Sequence, residues 1–311
     1  MAITAGMVKE LRELTGAGMM DCKKALAETN GDMEAAVEFL RKNGQAKAEK
    51  KASRIAAEGL CAVVVADDKT AAVVEVNSET DFVAKNEEFR SFVAGVANQA
   101  VASEAADMDA FLAEAWNEDT TITVSEALIA KIARIGEKLS IRRFEKVVAE
   151  NGCVVSYVHG GGRIGVIVEA QADVVNDAVK EAMTNIAMQI AALSPKYVTA
   201  DEVSEEYKAH EMEIIKAQIE ADPKMAGKPE KVIEGAVMGR LNKQLKEICL
   251  VDQVYVKAED GKQTVAQYVA QVAKETGANL AIKRFVRYET GEGLEKKVDD
   301  FAAEVAAQAG L

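Results

Sequence analysis

The sequence states one plan twice. Residues 60–65 and 71–77 are β-branched runs joined by the polar turn Asp67-Asp68-Lys69, the patterning of a hairpin. A helix should follow from about Asn86, with Phe89, Phe92, Val93, Val96 and Ala97 on one face. Further helical stretches run to about Lys138, and residues 140–148 read as a third strand. The order then returns. Residues 154–159 and 165–170 are strand-like around a turn, and Val179, Met183, Ile186 and Ile190 mark one face of a helix over 177–193. Ile282-Lys283-Arg284-Phe285 restates Ile141-Arg142-Arg143-Phe144. The expectation is an α+β protein with two strand-strand-helix-strand sub-domains, one over 55–150 and one over 151–194 with 249–288.

The interval from Glu169 to Phe285 is much longer than that from Glu75 to Phe144, so the second copy carries an insertion, placed at 195–248. All three prolines, Pro195, Pro223 and Pro229, fall there. Val203, Tyr207, His210, Ile214, Ala217 and Ala221 follow a coiled-coil-like spacing, and Ile233, Val237, Leu241, Leu245 and Ile248 return as a second helix. Glu202, Glu205 and Glu206 would then lie near Arg240, Lys243 and Lys246. Such an antiparallel helical hairpin serves either as a dimerisation arm or as a locally packed element.

Residues 1–54 read as a three-helix unit plus linker. Thr4 caps the first helix, along which Val8, Leu11 and Leu14 recur, and Gly16-Ala17-Gly18 stops it. Asn30-Gly31 ends the second. Asp32 caps the third, which carries Met33, Ala36, Val37 and Leu40 and should stop at Gly44; residues 45–54 are a basic, solvated linker with no apolar stripe, either helical or irregular. At the other end, 289–311 should hold a helix with Leu294, Val298, Phe301, Ala302 and Val305 on one side.

Charge and composition narrow the function. Lys+Arg total 38 against 51 Asp+Glu in 311 residues, a net charge of −13, which a phosphate backbone repels. No apolar run approaches the ~20 residues of a membrane span. The start has neither a secretory pattern nor an Arg- and Ser-rich transit peptide, so a cytoplasmic protein is expected. Cys22, Cys61, Cys153 and Cys249 are scattered without a CxxC pair, which points to idle reduced thiols. With only His159 and His210, metal and triad chemistry has little to draw on. A protein that works by contact, without a cofactor, fits better than a hydrolase.

Gly160-Gly161-Gly162-Arg163-Ile164-Gly165 matches G-x-G-x-x-G, but strand-like Val166-Ile167-Val168 follows where the dinucleotide fingerprint needs a helix. A glycine-rich hairpin turn is the better reading, and a dinucleotide enzyme rests on this match alone. His159 beside the turn is either a bland hydrogen-bonding residue or reachable by a partner. Thr80-Asp81-Phe82-Val83 lies between a strand and a helix: Phe82 either folds into the core or forms an exposed apolar wedge flanked by an acid. Met19 and Met20 point about 100° apart on their helix, so a thin unit cannot bury both equally.

Leu11-Arg12-Glu13-Leu14-Thr15-Gly16-Ala17-Gly18-Met19-Met20-Asp21-Cys22-Lys23-Lys24-Ala25-Leu26 resembles the N-terminal motif of the bacterial translation elongation factor Ts family. Residues 80–86 resemble its second motif, His159 with Gly161-Gly162-Arg163-Ile164-Gly165-Val166 a third, and Glu289-Thr290-Gly291-Glu292-Gly293-Leu294-Glu295 the C-terminal one. The resemblance implies a guanine-nucleotide exchange factor, not an enzyme of bond chemistry, for the GTPase elongation factor Tu. It implies a ubiquitin-associated-like (UBA-like) N-terminal module, a dimerising arm at 195–248, and partner contacts from Arg12, Met19, Met20, His159 and the C-terminal helix. Thr80, Asp81, Phe82 and Val83 would enter the partner's nucleotide domain and dislodge Mg²⁺. A scaffold that binds without affecting nucleotide release is the competing reading.

Overall fold

Side-chain alternation along the strands decides how the two copies meet. The structure, a computed structural model, describes residues 2–225 and 227–296. Its first half contains α1 (Ala5–Thr15), α2 (Met19–Glu28), α3 (Met33–Lys51), β1 (Glu58–Val65), β2 (Thr70–Ser78), α4 (Asp81–Lys85), α5 (Glu87–Ala102), α6 (Met108–Ala113), β3 (Ala115–Trp116), β4 (Asp119–Thr123), α7 (Val124–Ile135) and β5 (Ser140–Val148). The second contains β6 (Cys153–His159), β7 (Ile164–Gln171), α8 (Asp177–Leu193), α9 (Glu205–Glu220), α10 (Glu230–Ile248), α11 (Val265–Thr276) and β8 (Ala281–Glu289). The main sheets are antiparallel, ordered β1-β2-β5 and β6-β7-β8.

Successive strand residues face opposite sides. On β2, Ala72, Val74 and Val76 pack under Phe89, Phe92, Val93 and Val96 of α5, while Ala71 and Val73 face the other sheet. On β7, Val166 and Val168 pack under α8, while Ile167 faces the first sheet. The layers therefore run helix, sheet, sheet, helix, and both middle strands are buried on each face. Each hairpin turn bonds the first strand of the other: the Cys61 amide donates to the Gly162 carbonyl at 2.6 Å and the Val154 amide to Asp68 at 2.8 Å.

The duplication extends to its irregularities. Both middle strands carry a register break, at Glu75/Val76 and at Glu169/Ala170. Opposite them sit Gly59 (φ 131°) and Gly152 (φ 110°), whose missing Cβ would overlap the carbonyls of Val76 and Ala170. Each break carries a buried carboxylate. Glu75 accepts from Arg142 Nη1 at 3.0 Å and Arg143 Nε at 2.6 Å; Glu169 accepts from Lys283 Nζ at 2.9 Å and Arg284 Nε at 2.8 Å. Burial disfavours ionisation of Glu75, but the Gly291 amide, Asn77 and Arg143 outweigh it and hold the group below the ordinary glutamate range. At Glu169, Lys283 and Arg284 likewise overcome desolvation.

Several expectations need correction. α3 does not stop at Gly44 but runs on to Lys51, because Gly44 is the buried point where α3 meets Ile129 and Ala133 of α7. Leu14 is not a core residue; it is 66% exposed. Two steps of three residues carry it about 120° round the helix from Val8 and about 60° beyond Leu11, past the edge of the buried face. Between the expected helices, β3 and β4 pair into a small hairpin around Trp116. In the insertion, whose ends are tied by the Lys196 and Tyr197 amides donating to the Ile248 carbonyl, α9 packs on α10 through Met212, Ile215 and Ile219. His210, Ile214, Ala217 and Ala221 face outward, one residue off the expected seam. α10 packs as expected, through Ile233, Val237, Leu241 and Leu245. Glu205 pairs with Lys208 at 2.8 Å, and among the described residues no ion pair joins Glu202, Glu205 or Glu206 to Arg240, Lys243 or Lys246. α11 was not expected. The expected C-terminal helix has Val298, Phe301, Ala302 and Val305 outside the described residues.

Candidate functional site

β2 ends at Ser78, and the next residues form a short, firmly held projection. Thr80 caps the single-turn helix α4, its hydroxyl accepting from the Val83 amide at 3.3 Å. Glu137, just beyond α7, closes on the base of this turn. Its Oε2 accepts from the amides of Glu79 at 3.2 Å and Thr80 at 3.1 Å, and its Oε1 accepts from the Thr80 hydroxyl at 2.7 Å. Glu79 returns the contact, accepting from the Lys138 amide at 2.6 Å and from Arg54 Nη1 at 3.1 Å. Ser78 Oγ donates to the Thr80 carbonyl at 3.0 Å.

The helical turn then divides its side chains. Ala84 is buried and Val83 packs against the core under α5, while Phe82 is 81% exposed. So large an apolar ring left in water is not explained by packing of this chain. Asp81 beside it pairs with Lys85 at 2.6 Å, and that bond holds its carboxyl below the ordinary aspartate range. Of the two readings open for Phe82, the structure takes the outward one.

A second apolar surface lies on the three-helix unit. Leu14, Met19 and Met20 are 66%, 58% and 75% exposed, and Arg12 is exposed beside them in sequence. The tight Gly16-Ala17-Gly18 connection, with Gly16 at φ 65°, brings the end of α1 and the start of α2 together. Core formation here is left to Val8, Leu11, Cys22, Ala25, Leu26 and Ala36.

His159 ends β6 at the Gly160–Arg163 turn and is exposed; its Nδ1 lies 3.0 Å from the Tyr157 hydroxyl. The G-x-G-x-x-G match is thus the β6–β7 hairpin turn, as its strand-like sequel suggested. Among the described residues no group of three or more His, Cys, Asp or Glu side chains could hold a metal ion. All four cysteines are buried and unpaired, and burial pushes the Cys61 thiol up to about 11. No helix among the described residues is long and apolar enough to cross a membrane.

Sequence reasoning missed Leu14, Glu79 and Glu137. For Leu14 the signal was available, since its helical phase differs from that of Val8. Glu137 gave no local signal: it is one glutamate after a glycine, and its role depends on a strand end 57 residues away.

Comparison with known proteins bears on these surfaces. The family model described as elongation factor TS matches residues 79–292. The chain is 52% identical over 307 residues to an elongation factor Ts of Clostridioides difficile (strain 630), covering 98% of each chain. It is 49% identical over 307 residues to that of Clostridium tetani (strain Massachusetts / E88), covering 98% of this chain and 99% of the relative. To that of Clostridium novyi (strain NT) it is 50% identical over 307 residues, covering 98% of each. With a family model spanning most of its length and relatives matched nearly end to end, this chain belongs to the elongation factor Ts family.

Proposed function

We propose that this chain speeds GDP release from elongation factor Tu by inserting Phe82 into the GTPase and loosening its Mg²⁺ and phosphate site. Family membership makes it a nucleotide-exchange factor for that GTPase; the wedge is the mechanism its own residues support best. The observation that carries it is the exposed Phe82 ring on a backbone held by Glu137. Mg²⁺ demands near-octahedral oxygen geometry at about 2.0–2.1 Å, so a small shift of the elements behind it weakens its hold. Phosphate-cradling amides likewise serve in one arrangement only. An exchange factor that favours the emptied GTPase must, by linkage, be displaced when nucleotide returns.

The remaining assignments follow the same reading. Arg12, Met19 and Met20, joined by Leu14, dock a UBA-like module of residues 1–54 on the partner, the methionines adapting to its surface. Thr80, Asp81 and Val83 shape the wedge around Phe82, and His159 presses on a neighbouring part of the partner. The hairpin of 195–248 serves pairing with a second copy. The sub-domains of 55–150 and of 151–194 with 249–288 carry these surfaces, and 289–311 adds a C-terminal contact. The setting is the cytoplasm, where translation runs, with no direct nucleic-acid or membrane partner and no cofactor of its own.

The test is release of a fluorescent GDP analogue from purified elongation factor Tu. Wild-type chain should accelerate it. Phe82→Ala should still dock yet slow release by roughly 10–150-fold, the rate equivalent of the ~1.5–3 kcal/mol that burying one Phe supplies. No acceleration by wild type would refute the exchange function; an unchanged rate for Phe82→Ala would refute the wedge.

A further inference from the structure

We infer that Glu137 is a positioning residue for exchange: it holds the Phe82 turn in the shape that enters the partner, and it ties that turn to the N-terminal unit through α7. The inference rests on the exchange reading above and adds to it the residue that sets the wedge.

Three observations support it. First, the Glu137 carboxylate collects three bonds, from two consecutive amides and a hydroxyl, all at the base of α4. Charge-assisted bonds to successive amides fix a backbone direction, not merely a distance. Second, the contact is reciprocal: Glu79 accepts from the Lys138 amide, so residues 79–80 and 137–138 exchange partners like two hands. Third, the Glu137 backbone is itself anchored on both sides. α7 ends at Gly136 in the left-handed conformation, and Leu139 beyond is buried. α7 is braced by Gly44 of α3 against Ile129 and Ala133, and by Glu88 of α5, which pairs with Lys131 at 3.2 Å and Arg134 at 2.8 Å. Glu137 therefore stands just past the end of a helix braced by α3 of the three-helix unit and by α5, and what it grips is the stem of the wedge. Among the described residues its side chain makes no other hydrogen bond, so these three donors account for its placement.

The test compares Glu137→Ala, Glu137→Gln, Phe82→Ala and the Phe82→Ala/Glu137→Ala pair. Glu137→Ala should lower the maximal GDP-release rate roughly tenfold, the loss expected of a charged hydrogen-bond acceptor, with a smaller change in half-saturating concentration. Glu137→Gln, which keeps an acceptor oxygen, should recover part of that rate. In the Phe82→Ala background, Glu137→Ala should change the rate less than about twofold, because a misplaced turn without its ring has little more to lose. Hydrogen exchange at the Glu79 and Thr80 amides should accelerate in Glu137→Ala while amides of β2 keep their protection. Equal slowing in both backgrounds, or unchanged exchange at residues 79–80, would overturn the inference. A wild-type chain inactive in GDP release would sink the exchange reading instead, and amide exchange would still decide the clamp.

Discussion

Glu75 and Glu169 occupy equivalent places, so removing each in turn weighs the same group in two surroundings. Glu75→Ala takes away the acceptor of Asn77 Nδ2 at 3.0 Å, Arg142 Nη1 at 3.0 Å, Arg143 Nε at 2.6 Å and the Gly291 amide at 2.8 Å. Its two arginines are largely covered, and the Gly291 amide is left buried without this partner. Breaking such a pair costs about 3–5 kcal/mol. Glu169→Ala releases Lys283 and Arg284, which are nearly half exposed and turn to water; about 1–3 kcal/mol is expected. Urea unfolding followed through Trp116, which is buried against Phe92, reads both, because the two sheets share one apolar interface. The acid limb adds a signed check. Both glutamates titrate below their ordinary value in the folded chain. Their contribution is full above the unfolded carboxylate pKa of about 4.3 and is lost as pH falls through the lower folded value. The gap between wild type and Glu75→Ala should therefore shrink below about pH 4. A cost under ~1 kcal/mol for Glu75→Ala, equal costs for both variants, or a gap that widens in acid would refute the argument.

Two further substitutions test other parts of the reading. A Cβ at Gly44 would sit 3.6 Å from Ile129 Cγ2 and Ala133 Cβ, ordinary contact, so Gly44→Ala should stabilise α3 by up to ~1 kcal/mol while Gly44→Leu should cost ~1–3 kcal/mol by overpacking; thermal melts compare them. Leu14→Ser and Met20→Ser should leave stability within ~0.5 kcal/mol, since both side chains are exposed, yet weaken binding to elongation factor Tu about tenfold each by titration calorimetry; unchanged affinity would remove this surface from docking.

The duplicated sheets were legible because β-branched alternation and the recurring Ile-basic-Arg-Phe segment are local signals. β5 spans the expected 140–148, and α5 buries the expected Phe89, Phe92, Val93, Val96 and Ala97. What escaped depends on partners remote in sequence. Gly44 looks like a helix stop until Ile129 and Ala133 lie against it, because close helix approach and chain termination ask for the same residue. The seam of α9 was misjudged because small residues at 217 and 221 completed a heptad, whereas Met212, Ile215 and Ile219 bury more apolar surface one residue away. In the candidate site, the Asp-Phe pair was visible in the sequence, but the direction of the ring was not. Direction is decided by the cap on Thr80 and by Glu137, and only the cap is local.

That division explains why the turn is both exposed and rigid. Fixing a residue's backbone costs about 1–2 kcal/mol, so ordering the five residues of α4 only on contact would cost roughly 5–10 kcal/mol. Burial of one Phe ring returns about 1.5–3 kcal/mol, so a floppy wedge would lose more than its tip could gain. The fold meets that cost in advance: Val83 and Ala84 anchor one side of the helical turn in the core, and Glu137 and Glu79 lock its stem. Phe82, about 100° round the helix from Val83, is turned away from the core, and on the wedge reading its burial energy remains for a partner. On this account, replacing Thr80 or Glu137 weakens exchange by allowing the turn to relax and the ring to leave the direction those contacts hold.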